Sequence, residues 1–424
     1  MTNMDALMTL LFIRLYLSRD ALLALKKTET TISKLLKALL EKNYIREKSI
    51  KASDDEKIIS TTYYYLTLNG LRYLIRKKAN PLVSAIREED IRRATVVGTK
   101  PNKADWLQTV LRINDCAVLA ALSGADVPII LNYPSLDRRP RDENLPSTFY
   151  DLAIEAVKKM KKEELEQMRC ELYDVSAKRF VGNKFYTAAA VKKEVTRPSV
   201  SDRTANDFKR CRFSGYLRSH TKSVLLYSFY ELTLQWNVWN ASSDKNVLIL
   251  MNNGVPQNEG HDAIVTTGYN AVLIVRNEVY LRKLYEEAGR KGNGKLFENN
   301  SYNHFYVVPL SRVGAENLSD DIMLHYDEKA EQQYIDFMLG TGCTRKPKCR
   351  NDFDPDFTVV TQEGYKTAFG CVIDINKINR IKETVEENPD EKYAILCYKW
   401  QIPYYRAIFG KSIQIYKAEK KQSV

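Results

Sequence analysis

The chain has 424 residues, 44% hydrophobic and 28% charged, with 65 Lys+Arg against 53 Asp+Glu. That length exceeds one ordinary core and that composition excludes a disordered or fibrous protein, so an α/β chain of two or three domains is expected. No run of about 18 apolar residues occurs, and the opening MTNMDALMTLLFIRLYLS is broken by Asp5 and Arg14, so neither a signal peptide nor a membrane span is expected.

Seven cysteines, at 116, 170, 211, 343, 349, 371 and 397, lack framework spacing and suit reduced thiols in a cytoplasm. Cys343 and Cys349 flank TRKPK, a poor zinc half-site without a nearby histidine. The formal charge of +12 is uneven: residues 1–100 hold 19 Lys+Arg against 11 Asp+Glu, and residues 178–222 hold 12 against 3. Two basic regions suggest a polyanion laid across both, since each neutralised phosphate releases counterions.

In chain order, Asp5–Leu17 has apolar residues at helical spacing, Ser18 can cap a second helix RDALLALKK, and Thr28 or Thr30 can cap a third, TTISKLLKALLEKNY. YIREKSIK and IISTTYYYLT read as strands around a charged SDDEK tip, and LNGLRYLIRKK returns to helix. This order resembles the winged helix-turn-helix, with YYYLTLNGLRYL similar to its wing-closing strand and glycine turn. The expected base-reading face of the third helix carries Glu29, Thr31, Ser33, Lys34 and Lys37. Lys48, Lys51 and Lys57 on the wing, and Arg76, Lys77 and Lys78 behind it, are expected to meet phosphates, although Asp54, Asp55 and Glu56 on the same wing would repel them. Residues 1–85 are thus read as a winged helix and 86–102 as a linker.

Residues 103–325 read as a mixed α/β region. ADWLQTVLRINDCAVLAALSG is an amphipathic helix ending at Gly124, VPIILNY a strand, and NLPSTFYDLAIEAVKKMKKEELEQ a helix with a solvated charged face. In the basic segment 178–222, Thr187 can cap a short helix, while Arg197, Arg203, Lys209, Arg210, Arg212 and Arg218 alternate with Phe208, Phe213 and Tyr216. Arginine beside aromatics suits phosphate contact and base stacking, and the same aromatics also suit a core. KNVLILMNN, NAVLIVRN and HFYVVPLS read as strands and VYLRKLYEEAG as a helix, whereas GRKGNGKL lacks the GK[ST] ending of a phosphate loop and reads as a surface loop. His220, His261, His304 and His325 show no metal spacing.

From residue 326 the order is helix DEKAEQQYIDFML, strand DFTVV, strand YKTAFGCVIDIN, helix NKINRIKETVEEN, strand YAILCYK, helix IPYYRAIFG and strand SIQIYKA. Pro355-Asp356 and Asp374-Ile375-Asn376 resemble the motif of the PD-(D/E)XK restriction-endonuclease-like fold, an αβββαβ core. Asn376 stands where that family has lysine, and Lys377 would face away on a strand. The resemblance implies Asp356, Asp374 and Asn376 as site residues, Glu331 as an additional acid, and Mg²⁺ or Mn²⁺ held by Asp356 and Asp374 where the site is active; the missing lysine weakens activation of a nucleophile. A winged helix joined to such a core is similar to the replication-relaxation family of plasmids and conjugative elements. That likeness implies double-stranded DNA binding at an origin, relaxase or replication proteins as partners, and a degenerate nuclease-like domain. An active Mg²⁺-dependent nickase and a repressor that dimerises through its C-terminal domain are the alternatives.

Overall fold

The computed structural model describes residues 2–25, 29–54, 57–95, 104–133, 149–173, 182–195, 211–219, 222–228, 243–244, 246–248, 270–276, 280, 302–324, 327–345 and 356–418. It is a mixed α/β protein with three sheets among these residues. Helix α1 (Asn3–Arg14) begins with a capping box between Thr2 and Asp5. After β1 (Leu17–Ser18), Ser18 caps α2 (Arg19–Ala24) by accepting from the Ala21 N–H, as its position before RDALLALKK predicts. Then follow α3 (Glu29–Glu41), β2 (Ile45–Asp54), β3 (Lys57–Leu66) and α4 (Leu68–Lys77). The three strands pair antiparallel in the order β1-β3-β2, which leaves β2 at an edge. Gly70 in α4 is required by packing, because a Cβ there would lie 2.3 Å from the Tyr44 carbonyl oxygen.

Every residue of α1 from Asp5 to Arg14 is buried. A helix covered all round is not the outer helix of a free-standing module. Its far side is taken by α8 (Tyr150–Lys158) and α9 (Lys162–Tyr173), and α5 (Pro81–Ser84) and α6 (Glu88–Thr95) also rest on α8. The stretch read as a linker therefore contains α6, while 96–102 lies outside the described residues. Between the two parts runs α7 (Ala104–Leu122). Its Asp115 accepts from Ser18 Oγ at 2.7 Å and Ser228 Oγ at 3.1 Å, tying β1 to the middle sheet. Asn114 Nδ2 donates to the carbonyls of Arg14 and Tyr16, and the buried Arg14 guanidinium bonds Tyr173 and the carbonyls of Pro128 and Ile129.

Two five-stranded sheets complete the molecule, and they share one plan. β4 (Lys184–Thr187), β5 (Gly215–Arg218) and β6 (Ser223–Ser228) are antiparallel neighbours, and β7 (Asn270–Val275) and β8 (His304–Pro309) continue parallel to β6. Past β8 come α11 (Arg312–Glu316), a π-helix over Asn317–Leu324, and α12 (Asp327–Gly340). β9 (Thr344–Arg345), β10 (Phe357–Val360) and β11 (Lys366–Phe369) are again antiparallel, with β12 (Tyr393–Tyr398) and β13 (Gln414–Ala418) parallel to β11. Their crossovers contain α13 (Ile375–Glu387) and α14 (Ile402–Phe409), and α10 (Ala188–Val195) follows β4. The sheets meet where the Val307 N–H donates to the Ile373 carbonyl at 2.9 Å, beside an antiparallel bridge between Tyr306 and Asp374.

Three element readings fail. VPIILNY forms no strand; the carbonyls of Pro128, Ile129 and Leu131 accept from Arg14 and from Tyr150 instead of a ladder. Within KNVLILMNN, residues 246–248 are helical. The run YKTAFGCVIDIN is a strand only as far as Phe369. It is apolar on both faces because Cys371 and Val372 enter one core cluster while Ile373 and Ile375 enter the other. The reading of NLPSTFYDLAIEAVKKMKKEELEQ as helical yields two helices, α8 and α9. Among the described residues no helix is long and apolar enough to cross a membrane.

Candidate nucleic-acid interface

The spacing of Ile32, Leu36 and Leu39, all buried, fixes which side of α3 faces inward. Thr30, Thr31, Lys34, Lys37 and Glu41 are exposed along the other side, and Ser33 is half-buried. Glu29 opens the helix, but its side chain lies outside the described residues. On the edge strand β2, Arg46, Glu47, Lys48 and Ser49 are exposed, and the Lys48 ammonium lies 5.7 Å from the Tyr65 ring centroid. Lys51 and Lys57 belong to the paired strands, opposite Ser60 and Asp54 respectively, but their side chains lie outside the described residues, as do Asp55 and Glu56 entirely.

At the end of α4, Arg76, Lys77 and Lys78 are all exposed. Lys77 is already committed, since its ammonium lies 2.8 Å from the carboxylate of the buried Asp5. Burial pushes the Asp5 pKa up, the Lys77 and Thr2 hydrogen bonds pull it down, and the net value falls below the ordinary 3.8. Lys77 thus joins α4 to the start of α1.

Only part of the second basic segment lies within the described residues. Arg197, Arg203, Lys209, Arg210 and Phe208 lie outside the described residues. Arg212 is exposed, and its backbone N–H donates to Asp244 Oδ1. Arg218 is buried within β5, with Nη2 lacking a hydrogen-bond partner among the described residues. Phe213 and Tyr216 are core residues, so the stacking role read for them is replaced by packing. Thr187 does cap α10, its Oγ1 accepting from the Ala190 N–H.

Both C-terminal carboxylates are engaged by other groups. Asp356 receives both arms of Arg380, Nε to Oδ2 and Nη2 to Oδ1, each at 2.8 Å. The hydrogen bonds that Arg380 donates to Asp356 outweigh burial and raise the Arg380 pKa, with the Asp356 and Asp374 charges adding to the effect. Asp374 is not on a strand with Asn376. It is the N-cap of α13, its Oδ1 accepting from the N–H groups of Asn376 and Phe305 and its Oδ2 lying 2.8 Å from His304 Nδ1. Asn376 sits in the first turn and its amide donates to the Tyr302 carbonyl. Glu331 belongs to α12, with its side chain outside the described residues. Among the described residues no group of three His, Cys, Asp or Glu is placed to hold a metal ion. A guanidinium already engages one carboxylate, and a helix end with an imidazole engages the other.

His304 and Arg380 carry no motif, so sequence reasoning missed both. The N-cap was readable: Asp374 precedes Ile375, Ile378, Ile381 and Val385, an apolar helical period. His220, His261, His325, Cys349, GRKGNGKL and nearly all of VYLRKLYEEAG lie outside the described residues. Buried Cys116, Cys371 and Cys397 are free thiols whose pKa burial raises, for Cys397 to about 12, which makes them poor nucleophiles. Compared with models of known protein families and with curated proteins, the chain matches none.

Proposed function

We propose that the chain is a sequence-directed double-stranded DNA-binding protein whose first 85 residues act as a winged helix, with α3 entering the major groove. The observation that carries this reading is the order α1-β1-α2-α3-β2-β3 with strand order β1-β3-β2, in which α3 turns Thr30, Thr31, Lys34 and Lys37 to solvent. Short hydroxyls and lysines on one helical ridge suit base edges, and Lys48, Arg76 and Lys78 beside it suit phosphates. The likeness to replication-relaxation proteins supports a role at an origin of a mobile element, alongside a relaxase or replication protein. In this reading the C-terminal sheet is a nuclease-like scaffold whose carboxylates hold the fold together.

The test is duplex selection from a random pool by the full chain, followed by titration at low and moderate salt. Affinity is expected to fall steeply with salt. Replacing both Lys34 and Lys37 with Ala is expected to cost about 1–3 kcal/mol per lost base contact and to relax the selected sequence. A salt-independent affinity, or a selected sequence untouched by that double change, rejects the reading.

A further inference from the structure

Where β12 and β13 end, a cavity of about 410 Å³ opens between those strand ends and the helical segment that follows β8. Ligands of open α/β sheets bind outside the carboxyl ends of parallel strands, and π-helical turns are frequent at functional sites. Both features coincide here, because the π-helix Asn317–Leu324 supplies Asn317 and Asp321 to the lining. The wall they form is rich in acceptors. Asp321 is 5% exposed and accepts from Asn317 Nδ2 at 2.6 Å and from the Tyr398 hydroxyl at 3.2 Å. The Oδ1 of Asn317 has no hydrogen-bond partner among the described residues but is fully buried, and Glu316 adds a second carboxylate to the lining. The strand ends supply the opposite charge through the exposed Lys399 and Lys417, and the half-buried Trp400 supplies a flat apolar surface.

We propose that this cavity binds a nucleotide whose base carries an amino group. The amine donates to the carboxylates of Glu316 and Asp321, the base lies against the Trp400 indole, and the phosphate meets Lys399 and Lys417. The volume falls at the low end of small-molecule sites, about 300–1,000 Å³, which fits one nucleotide. A metal ion alone would use neither the indole nor the lysines. The nucleotide comes either free or as the end of a single strand. The proposal does not depend on the duplex-binding reading, because it uses no residue of α3 or of the wing.

Calorimetric titration of the full chain with AMP, CMP, UMP and adenosine tests it. AMP or CMP is expected to bind saturably, with UMP and adenosine at least about tenfold weaker, since one lacks the amine and the other the phosphate. Lys399→Ala with Lys417→Ala is expected to weaken AMP by about tenfold or more and to leave adenosine unchanged. Both side chains are exposed, and circular dichroism checks that the variant is folded. Competition with tetradeoxyadenylate then assigns the source: displacement of AMP by the oligonucleotide marks a strand end, and its failure to compete marks the free nucleotide. No saturable binding of AMP or CMP at millimolar concentration, equal affinity for UMP, or an affinity for AMP indifferent to the lysine pair overturns the proposal.

Discussion

Lys77 illustrates why a run of basic residues cannot be divided into roles by reading it. In RKK all three lysine and arginine side chains look alike, and the approach of Asp5, 72 positions earlier in the chain, decides which one is taken. The pair has a pH signature. A carboxyl whose folded pKa lies below its unfolded value binds fewer protons in the native state, so its stabilisation is complete above the ordinary value of 3.8 and is lost as pH falls through the folded one. Lys77→Met is expected to lower the melting temperature at pH 6 and to flatten its decline below about pH 4, as read by calorimetry across that range. The same variant is expected to weaken duplex binding less than Lys34→Ala. Arg218, Phe213 and Tyr216 were illegible for a related reason, since burial of β5 and of the residues leading into it depends on pairing with β4 on one side and β6 on the other.

Most helices and strands were legible because each carries its period and its cap within a dozen residues. The α3 stripe, the Ser18 and Thr187 caps and the strands β8, β10, β12 and β13 all follow from local pattern. The failures share a cause: VPIILNY and YKTAFGCVIDIN are apolar because they are buried between elements, and apolar runs do not reveal whether their backbone groups pair in a ladder. At Asp374 this changes the expected chemistry. Asp374→Ala removes the cap of α13 and the acceptor for the Phe305 N–H, at an expected cost of about 2–3 kcal/mol in denaturant titration. Supercoiled plasmid nicking with Mg²⁺ or Mn²⁺ is expected to be the same with and without the change. Asn376→Lys is expected to give no nicking either, because position 376 is in a helix and its side chain is turned to the Tyr302 carbonyl. Metal-dependent nicking that disappears in Asp374→Ala while the protein remains folded would restore the active-site reading.

For the molecule as a whole, the division at residue 85 suggested by the sequence is a division of topology more than of packing. One apolar cluster runs from Ala6 in α1 through α7 to Ala418 in β13. Residues 1–85 made alone would expose the side of α1 that α8 and α9 cover, and are expected to lack a cooperative melting transition, whereas the full chain has one. A sharp transition for the isolated fragment would show instead that the first three helices and the hairpin suffice. The seam between the two five-stranded sheets has a consequence for how the chain is made. The outer edge of β8 finds its partner only at Ile373 and Asp374, about 65 residues after the strand itself ends. At a synthesis rate of 5–20 residues per second that interval lasts roughly 3–13 s, during which a completed strand offers an unpaired edge. Co-translational folding of this chain is therefore expected to need protection over that window, and slow synthesis between residues 310 and 373 is expected to lower the soluble yield.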